Sequence, residues 1–387
     1  DLRLKIERKR DWFGVEGEVA VKGGVTVQLA ALLEAARTGR RYVRVGKNEV
    51  LAIAADLRQK LLDADDVLLT GPGGIDAGPA ALAPLAALVE DQKQIVAAKA
   101  FVELQARAAA ATTFAPKLPR GLRAELRPYQ HDGFVWLARL AEWGAGACLA
   151  DDMGLGKTVQ ALALLLHRAA GKHGPALVVA PTSVGANWIA ETNRFAPSLH
   201  VRSYRGADRQ ALLEKLGPKD VLVTSYELLH RDADALAAIT FGTVIFDEAQ
   251  SLKNALTKRT AAARELSAGF RLALTGTPVE NHLGELWSIF RVVSPGLLGS
   301  WERFRARFVG PIERDRDPRR REALASLLRP YLLRRTKRAV APELPARTEL
   351  VRVDEPGPEE RALYAAERAR ILRMLSERSD PGMRFAV

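Results

Sequence analysis

The sequence predicts an α/β fold: a parallel sheet with helices on both faces, preceded by a smaller α+β accessory region and followed by a helical connector. Three observations carry this expectation. Between about residues 121 and 295, short continuously apolar runs alternate with segments of helical spacing, the pattern of strands that crossover helices cover on both sides. Two of those runs end in residues suited to phosphate and metal chemistry, at the strand ends where such sheets bind ligands. The flanks differ in composition, and most of the net charge sits in one block near the C-terminal end.

In chain order, residues 1–115 form the accessory region. Asp11-Trp12-Phe13 followed by glycine-spaced valines predicts β structure, and Leu29 to Arg37 a short helix. Gly71-Pro72-Gly73-Gly74 reads as a turn, and Thr112 to Pro119 as an extended linker. Residues 116–299 form the α/β unit. Its expected strands are Ala147 to Ala150, Ala176 to Ala180, Val221 to Val223, Val244 to Phe246 and Leu272 to Leu274. Its expected helices include Phe134 to Leu140, Val159 to Arg168, Asn187 to Phe195 and Leu256 to Leu266. Residues 300–387 form the basic connector, in which the Pro-punctuated stretch Pro311 to Arg321 is expected to be skirted by helices.

Composition bounds the function. With 387 residues, 48% hydrophobic and 27% charged, the chain has material for two or three domains and is not disordered. Lys and Arg outnumber Asp and Glu by 58 to 46, and the surplus of +12 suits a polyanionic partner. Residues 121–299 are nearly balanced at +2, whereas residues 300–347 alone carry +8. The single Cys148 excludes a disulfide framework and a cysteine-rich zinc site, and reads as a small core residue. The most apolar stretch, Ala77 to Val89, is short for a membrane span and contains Pro79 and Pro84. With no secretory signal pattern, a soluble, intracellular chain without a membrane partner is expected. A start at Asp1 without methionine points to a piece of something longer.

The first strand is followed by Asp151-Asp152-Met153-Gly154-Leu155-Gly156-Lys157-Thr158, which opens a helix. Gly154 and Gly156 allow backbone amides to close around phosphate oxygens, aided by the helix N-terminus. Lys157 would reach the β and γ phosphates, and the Thr158 hydroxyl would ligate magnesium. Asp151 replaces the first glycine of the generic motif. Ninety positions beyond Lys157, the strand Val244-Ile245-Phe246 ends in Asp247-Glu248-Ala249-Gln250. Asp247 is placed to hold magnesium, and Glu248 to orient or deprotonate an attacking water. A third strand ends in Thr275-Gly276-Thr277-Pro278, whose hydroxyls would link nucleotide state to the rest of the protein. Upstream, Gln130 either reads the adenine edge with its amide or serves as a capping residue.

Taken together, Leu-Arg-Pro-Tyr-Gln (126–130), Asp-Asp-Met-Gly-Leu-Gly-Lys-Thr (151–158), Ala-Pro-Thr-Ser (180–183) with Asn187-Trp188, Thr-Ser-Tyr (224–226), Asp-Glu-Ala-Gln and Thr-Gly-Thr-Pro closely resemble the Swi/Snf-type ATPases of helicase superfamily two. Leu333-Arg334-Arg335-Thr336-Lys337 and Glu343-Leu344-Pro345 look like the stretch after that family's first RecA-like lobe. The resemblance covers about residues 121–365, and residues 1–115 are similar, to a lesser degree, to the accessory region of many bacterial members. It implies a RecA-like sheet and an ATP- and magnesium-dependent motor that tracks along double-stranded DNA without separating the strands. It gives Lys157, Thr158, Asp247 and Glu248 the roles already argued, and Gln130 the adenine-reading role. Thr182, Ser183, Thr224 and Ser225 match motifs that hold one DNA strand by its phosphates, with Lys253 and Asn254 as further candidates. Gln250, Thr275, Gly276 and Thr277 fall to coupling.

The family's second lobe, with its arginine fingers, should begin near or after residue 387, so this chain alone is expected to turn ATP over very slowly. An RNA helicase is the nearest rival, opposed by Gln250 and by the Leu-Arg-Arg-Thr-Lys extension. A non-hydrolytic docking module is the other, with residues 1–115 contacting a partner such as RNA polymerase or acting as a folded spacer. Arg303, Arg305, Arg307, Arg319, Arg320, Arg321, Arg334, Arg335, Lys337 and Arg338 would form part of a phosphate-tracking surface. A cytoplasmic, nucleoid-associated setting follows; oligomeric state is left open.

Overall fold

The computed structural model describes residues 2–9, 12–20, 26–45, 49–65, 67–71, 74–77, 81–89, 95–97, 99–340 and 352–377. Pro72, Gly73, Pro79, the Glu343-Leu344-Pro345 stretch and the end at Arg384 to Val387 lie outside them. The chain divides into two units, residues 1–341 and 342–387.

In the first unit, the parallel sheet forms on the five expected apolar runs and gains two strands that they did not predict, His200–Ser203 and Leu332–Leu333. It comprises β1 (Ala147–Leu149), β2 (Ala176–Ala180), β3 (His200–Ser203), β4 (Asp220–Ser225), β5 (Thr240–Asp247), β6 (Ser267–Leu274) and β7 (Leu332–Leu333). They lie in the order β3-β4-β2-β5-β6-β1-β7, and every neighbouring pair is parallel. Residues of β1 and β2, and those of β5 after Thr240, are buried whichever face they point to, so no hydrophobic alternation survives in the sequence. Cys148 is one of these fully buried residues, and burial pushes its thiol up to about 12.

Three of the expected helices are longer than their apolar spacing suggests, and the one expected over Leu256 to Leu266 is shorter. The helices around this sheet are α1 (Pro128–Trp143), α2 (Lys157–Ala170), α3 (Thr182–Phe195), α4 (Tyr226–Arg231), α5 (Ala233–Ala237), α6 (Lys258–Glu265) and α7 (Leu283–Val293). Pro128 starts α1, where its missing N–H costs nothing, and Gly144, at φ +86°, ends it. α6 starts at Lys258 because the Thr257 hydroxyl accepts the Thr260 amide at 3.3 Å. Gly146 admits α7 against β1: a Cβ there would stand 1.7 Å from the Val293 carbonyl oxygen.

The accessory residues form a second core around a six-stranded sheet. Leu68–Gly71, Gly74–Ala77, Trp12–Ala20, Leu2–Lys9 and Ile95–Ala97 are neighbours in that order, and Thr26–Gln28 adds to Trp12–Ala20. A short helix covers Leu29–Arg37, as its spacing predicts, and longer ones cover Ala55–Asp65 and Lys99–Thr113. The accessory core also takes in Trp143 of α1 and Leu327 of the connector. Arg303 spans the same boundary, with its Nη2 3.0 Å from Asp65 Oδ1 and its Nη1 donating to the Leu68 carbonyl.

The stretch Pro311 to Arg321 corrects the expectation from its prolines. A π-helical segment, Arg305–Arg314, contains Pro311, and α9 (Pro318–Leu328) follows the short α8 (Trp301–Phe304). Asp317 explains the restart: its carboxylate accepts the amides of Arg319 at 2.8 Å and Arg320 at 3.3 Å, and Pro318 occupies the first turn, where no donor is needed. The second unit contains the helix α10 (Pro358–Glu377).

The Arg303–Asp65 pair yields a stability prediction. Arg303→Ala leaves a buried carboxylate unpaired and is expected to lower the unfolding free energy by about 3 kcal/mol. Arg305→Ala, at an exposed position of the same turn, is expected to stay within about 0.5 kcal/mol in urea denaturation.

Candidate functional site

The carboxyl edge of the sheet gathers the predicted groups. β6 lies between β5 and β1, so the Asp247-Glu248 turn, the Thr275-Gly276-Thr277 turn and the glycine loop follow one another along that edge. Both loop glycines are in the left-handed region, Gly154 at φ +84° and Gly156 at φ +76°, which suits glycine at these two positions. Gly156 is the N-cap of α2 and brings no side-chain acceptor to its first-turn amides. The Lys157 Nζ donates to the carbonyls of Asp151 at 2.7 Å and Asp152 at 3.3 Å, holding the loop closed beneath it. Burial lowers the Lys157 pKa, while the charges of Glu248, Asp151, Asp247 and Asp152 oppose that shift. Thr158 follows in the first turn of α2.

Asp247 is held from several directions. Its Oδ2 accepts the Trp188 indole N–H at 2.7 Å, its Oδ1 accepts the Glu248 amide at 2.9 Å, and its carbonyl accepts the Tyr226 hydroxyl at 2.8 Å. Burial raises its carboxyl pKa above the usual range, and the two donors pull it back. Glu248 adopts φ +46°, a conformation unusual for any residue but glycine, and this turns its side chain out of the strand direction.

The predicted coupling residues form a chain of hydrogen bonds. Gln250 Nε2 donates to Glu248 Oε2 at 2.7 Å, and its Oε1 accepts the Thr275 hydroxyl at 2.9 Å. The Thr275 oxygen accepts the Thr277 amide at 3.1 Å, and the Thr277 hydroxyl donates to Glu280 at 2.9 Å. Gly276 abuts the glycine loop, since a Cβ there would stand 3.1 Å from Met153 Cγ. One carboxylate thus connects to a surface loop through the Gln250 side-chain amide, two threonine hydroxyls and the Thr277 backbone amide.

Gln130 sits against the loop. Its Oε1 accepts the Arg127 amide at 3.0 Å and its Nε2 donates to the Leu155 carbonyl at 3.1 Å, so its amide caps α1 and ties α1 to the loop. A Cβ on Gly156 would stand 2.4 Å from that Nε2. The DNA candidates are placed less uniformly. Thr182 and Ser183 are exposed in the first turn of α3, and Thr224 is buried with an unpartnered hydroxyl. Ser225 caps α4 by accepting the Leu228 amide, and the Asn254 side chain accepts the Leu256 amide. Lys253 pairs with Glu280 at 3.1 Å.

The basic block does not form one surface. Arg303 is turned onto Asp65 and Arg335 onto the fully buried Asp151; Arg307 is half-buried, and burial pushes its guanidinium down to about 10. Arg305, Arg319, Arg320, Arg321, Arg334, Lys337 and Arg338 are exposed. Trp188, Tyr226 and Arg335 were visible as parts of motifs, but no spacing rule assigned them these partners. A large indole in the otherwise polar Asn187-Trp188 stretch was the signal for the first.

The donor set fits a polyphosphate with a divalent cation: a cradle that side chains would fill, uncapped helix amides, one lysine and an aspartate at the neighbouring strand end. Comparison with known proteins agrees. The family model described as SNF2-related domain matches residues 129–382. A Bacillus subtilis protein named as an ATP-dependent helicase/translocase, YwqA, is 48% identical over 243 residues, covering 60% of this chain and 26% of YwqA. The TATA-binding protein-associated factor mot1 of Schizosaccharomyces pombe is 37% identical over 254 residues, covering 59% of this chain and 13% of mot1. Among solved structures, the Sulfolobus solfataricus SWI2/SNF2 ATPase core in complex with double-stranded DNA superposes with a TM-score of 0.56 at 38% identity. That match covers 69% of this chain and 57% of the other. The chain thus spans about a quarter of YwqA and a smaller part of mot1.

The Trp188–Asp247 bond gives a pH-dependent prediction. Trp188 lowers a carboxyl pKa that burial has raised, so Trp188→Phe raises it further. The resulting loss of stability, about 1–3 kcal/mol, is fully present at neutral pH. Its electrostatic part shrinks as pH falls through the raised folded value and is gone once Asp247 is protonated in both proteins. Urea denaturation of the two proteins across pH measures it.

Proposed function

The chain belongs to the SNF2-related domain family, and we propose on that premise that it is the ATP-binding first motor lobe of a double-stranded DNA translocase or remodeller. The observation that carries the reading is the placement of Lys157 beside the Asp247-Glu248 turn, at the edge of one parallel sheet. The loop amides and the α2 N-terminus would receive the phosphates. Lys157 would exchange the Asp151 and Asp152 carbonyls for β and γ oxygens, gaining charged partners in place of neutral ones. Thr158 and Asp247 would hold magnesium, which when bound neutralises phosphoryl charge and orients the terminal phosphate. Trp188 and Tyr226 keep Asp247 aimed at that position. Glu248 would orient the attacking water and take its proton, with Gln250 fixing the carboxylate. Gln130 would read adenine by giving up the Leu155 carbonyl, which keeps the Tyr129 hydroxyl as a donor and so stays tied to α1.

Double-stranded DNA is proposed as the partner because the matched Sulfolobus core was solved on it. Thr182 and Ser183, with Arg319, Arg320 and Arg321, are among the exposed side chains that would meet phosphates. Ser225, Asn254 and Lys253 would first have to leave their present partners. Hydrolysis is proposed to need arginine fingers from a second lobe, worth roughly a thousandfold in related phosphoryl transfers. The contacts of Trp143, Leu327 and Arg303 with the accessory core support a bracing role for residues 1–115. A cytoplasmic, nucleoid-associated setting is proposed on the same grounds as the DNA partner.

Three measurements test the reading: ATP binding, turnover and the salt slope of duplex binding. In a protein carrying the second lobe, Lys157→Ala is expected to abolish ATP binding. Glu248→Gln is expected to keep binding and to slow turnover by about 100-fold or more. Duplex DNA is expected to stimulate turnover, and stimulation by single-stranded RNA instead would support the RNA helicase. An unchanged rate in Lys157→Ala would end the nucleotide assignment. Replacing Arg319, Arg320 and Arg321 with alanine is expected to reduce the salt slope of duplex binding by up to roughly 0.9 per lost phosphate contact; an unchanged slope removes those three from the interface.

A further inference from the structure

The glycine loop is held by a strand that arrives 184 residues later in the chain. β7 pairs with β1, and the ladder continues past the strand end: the amides of Cys148, Ala150 and Asp152 donate to the carbonyls of Tyr331, Leu333 and Arg335 at 2.8, 2.7 and 3.0 Å. The amides of Arg335 and Lys337 return the contact, donating to the carboxylates of Asp151 at 3.1 Å and Asp152 at 2.9 Å.

The Arg335 guanidinium closes the arrangement. Its Nε and Nη2 donate to the two oxygens of Asp151 at 3.0 and 2.5 Å, and Nη2 also reaches Gln160 Oε1 at 2.8 Å. Its Nη1 donates to the Tyr129 carbonyl, and its carbon lies 5.2 Å from the centre of the Tyr129 ring. The Tyr129 hydroxyl and Gln130 Nε2 in turn donate to the Leu155 carbonyl at 3.2 and 3.1 Å. One side chain therefore fixes the start of the loop, the first turns of α2 and the pair of residues that grips the middle of the loop. Asp151 is 0% exposed; without a cation beside it, a buried anion would stand where polyphosphate must come. Gly133 is what makes room, since a Cβ there would stand 2.8 Å from Arg335 Nη2 and closer still to Gln160.

We propose that Arg335 is a positioning residue for nucleotide binding, and that residues 331–337 act as a strap whose docking and nucleotide occupancy reinforce each other. The proposal rests on the loop being a nucleotide site. Binding free energies are reciprocal, so a strap that shapes the loop must itself be tightened by nucleotide. Because the same strap leads out of the sheet toward the rest of the connector, occupancy would be transmitted along the backbone as well as through the Glu248–Gln250–Thr275 chain.

The test uses ADP and the full 387-residue chain, with Lys157→Ala as the control for the site itself. Arg335→Gln is expected to weaken ADP binding on the order of tenfold. Arg335→Lys recovers only part, since an ammonium lacks the fork that meets both Asp151 oxygens. Asp151→Asn combined with Arg335→Gln recovers most of it. In the unmodified chain, ADP is expected to slow hydrogen exchange at the Arg335 and Lys337 amides more than at Leu33 in the accessory core. Unchanged ADP affinity in folded Arg335→Gln, or ADP binding without added protection of those two amides, would overturn the strap. If Arg335→Gln does not fold, the lysine variant and the exchange measurement decide. Failure of the unmodified chain to bind ADP would overturn the nucleotide reading, and the strap with it.

Discussion

A parallel sheet sealed on both faces leaves its strand ends as the place for polar chemistry, and the other features of the site depend on that constraint. The apolar side chains of β1, β2 and β5 are packed under helices whichever way they point. Charged groups such as Asp247, Glu248 and Lys157 can then be hydrated or ligated only where the strands stop. The order of strands fixes who meets whom: β6 lies between the carboxylate turn and the glycine loop, so its own turn must touch both. Gly276 against Met153 and Thr275 against Gln250 are the two halves of that contact.

Within this frame, the site is organised by donors that neutralise or aim carboxylates before any ligand arrives. Trp188 and the Glu248 amide stabilise the ionised form of Asp247 against burial. Lys157 rests on backbone carbonyls and keeps the loop compact. Groups held in this way need little rearrangement when substrate charge replaces their present partners, and low reorganisation is the property that makes fixed dipoles effective in catalysis.

Much of this was legible in the sequence because it depends on local pattern. Continuous apolar runs, Gly-Lys-Thr after one of them and Asp-Glu after another place the sheet, the loop and the carboxylates without knowledge of contacts. What the sequence did not disclose depends on meetings between distant segments. Leu332-Leu333 is too short a run to announce a seventh strand, and it becomes one only because β1 offers an open edge. Arg335 looks like its neighbour Arg334 in a basic run, yet one is turned onto a buried carboxylate and the other is exposed. Pro311 and Pro318 read as breakers; the carboxylate of Asp317 turns the second into a helix start.

The substitution of aspartate for the first glycine of the loop has a consequence for exchanging parts between relatives. Asp151 and Arg335 share one buried ion pair across most of the sheet's sequence. A graft that takes residues 116–299 without the later strand would import the acid and leave its base behind. A graft from this chain is thus expected to need an end point beyond the strap, or a change at both positions together. The unit that must be moved together here runs past residue 299 to the strap.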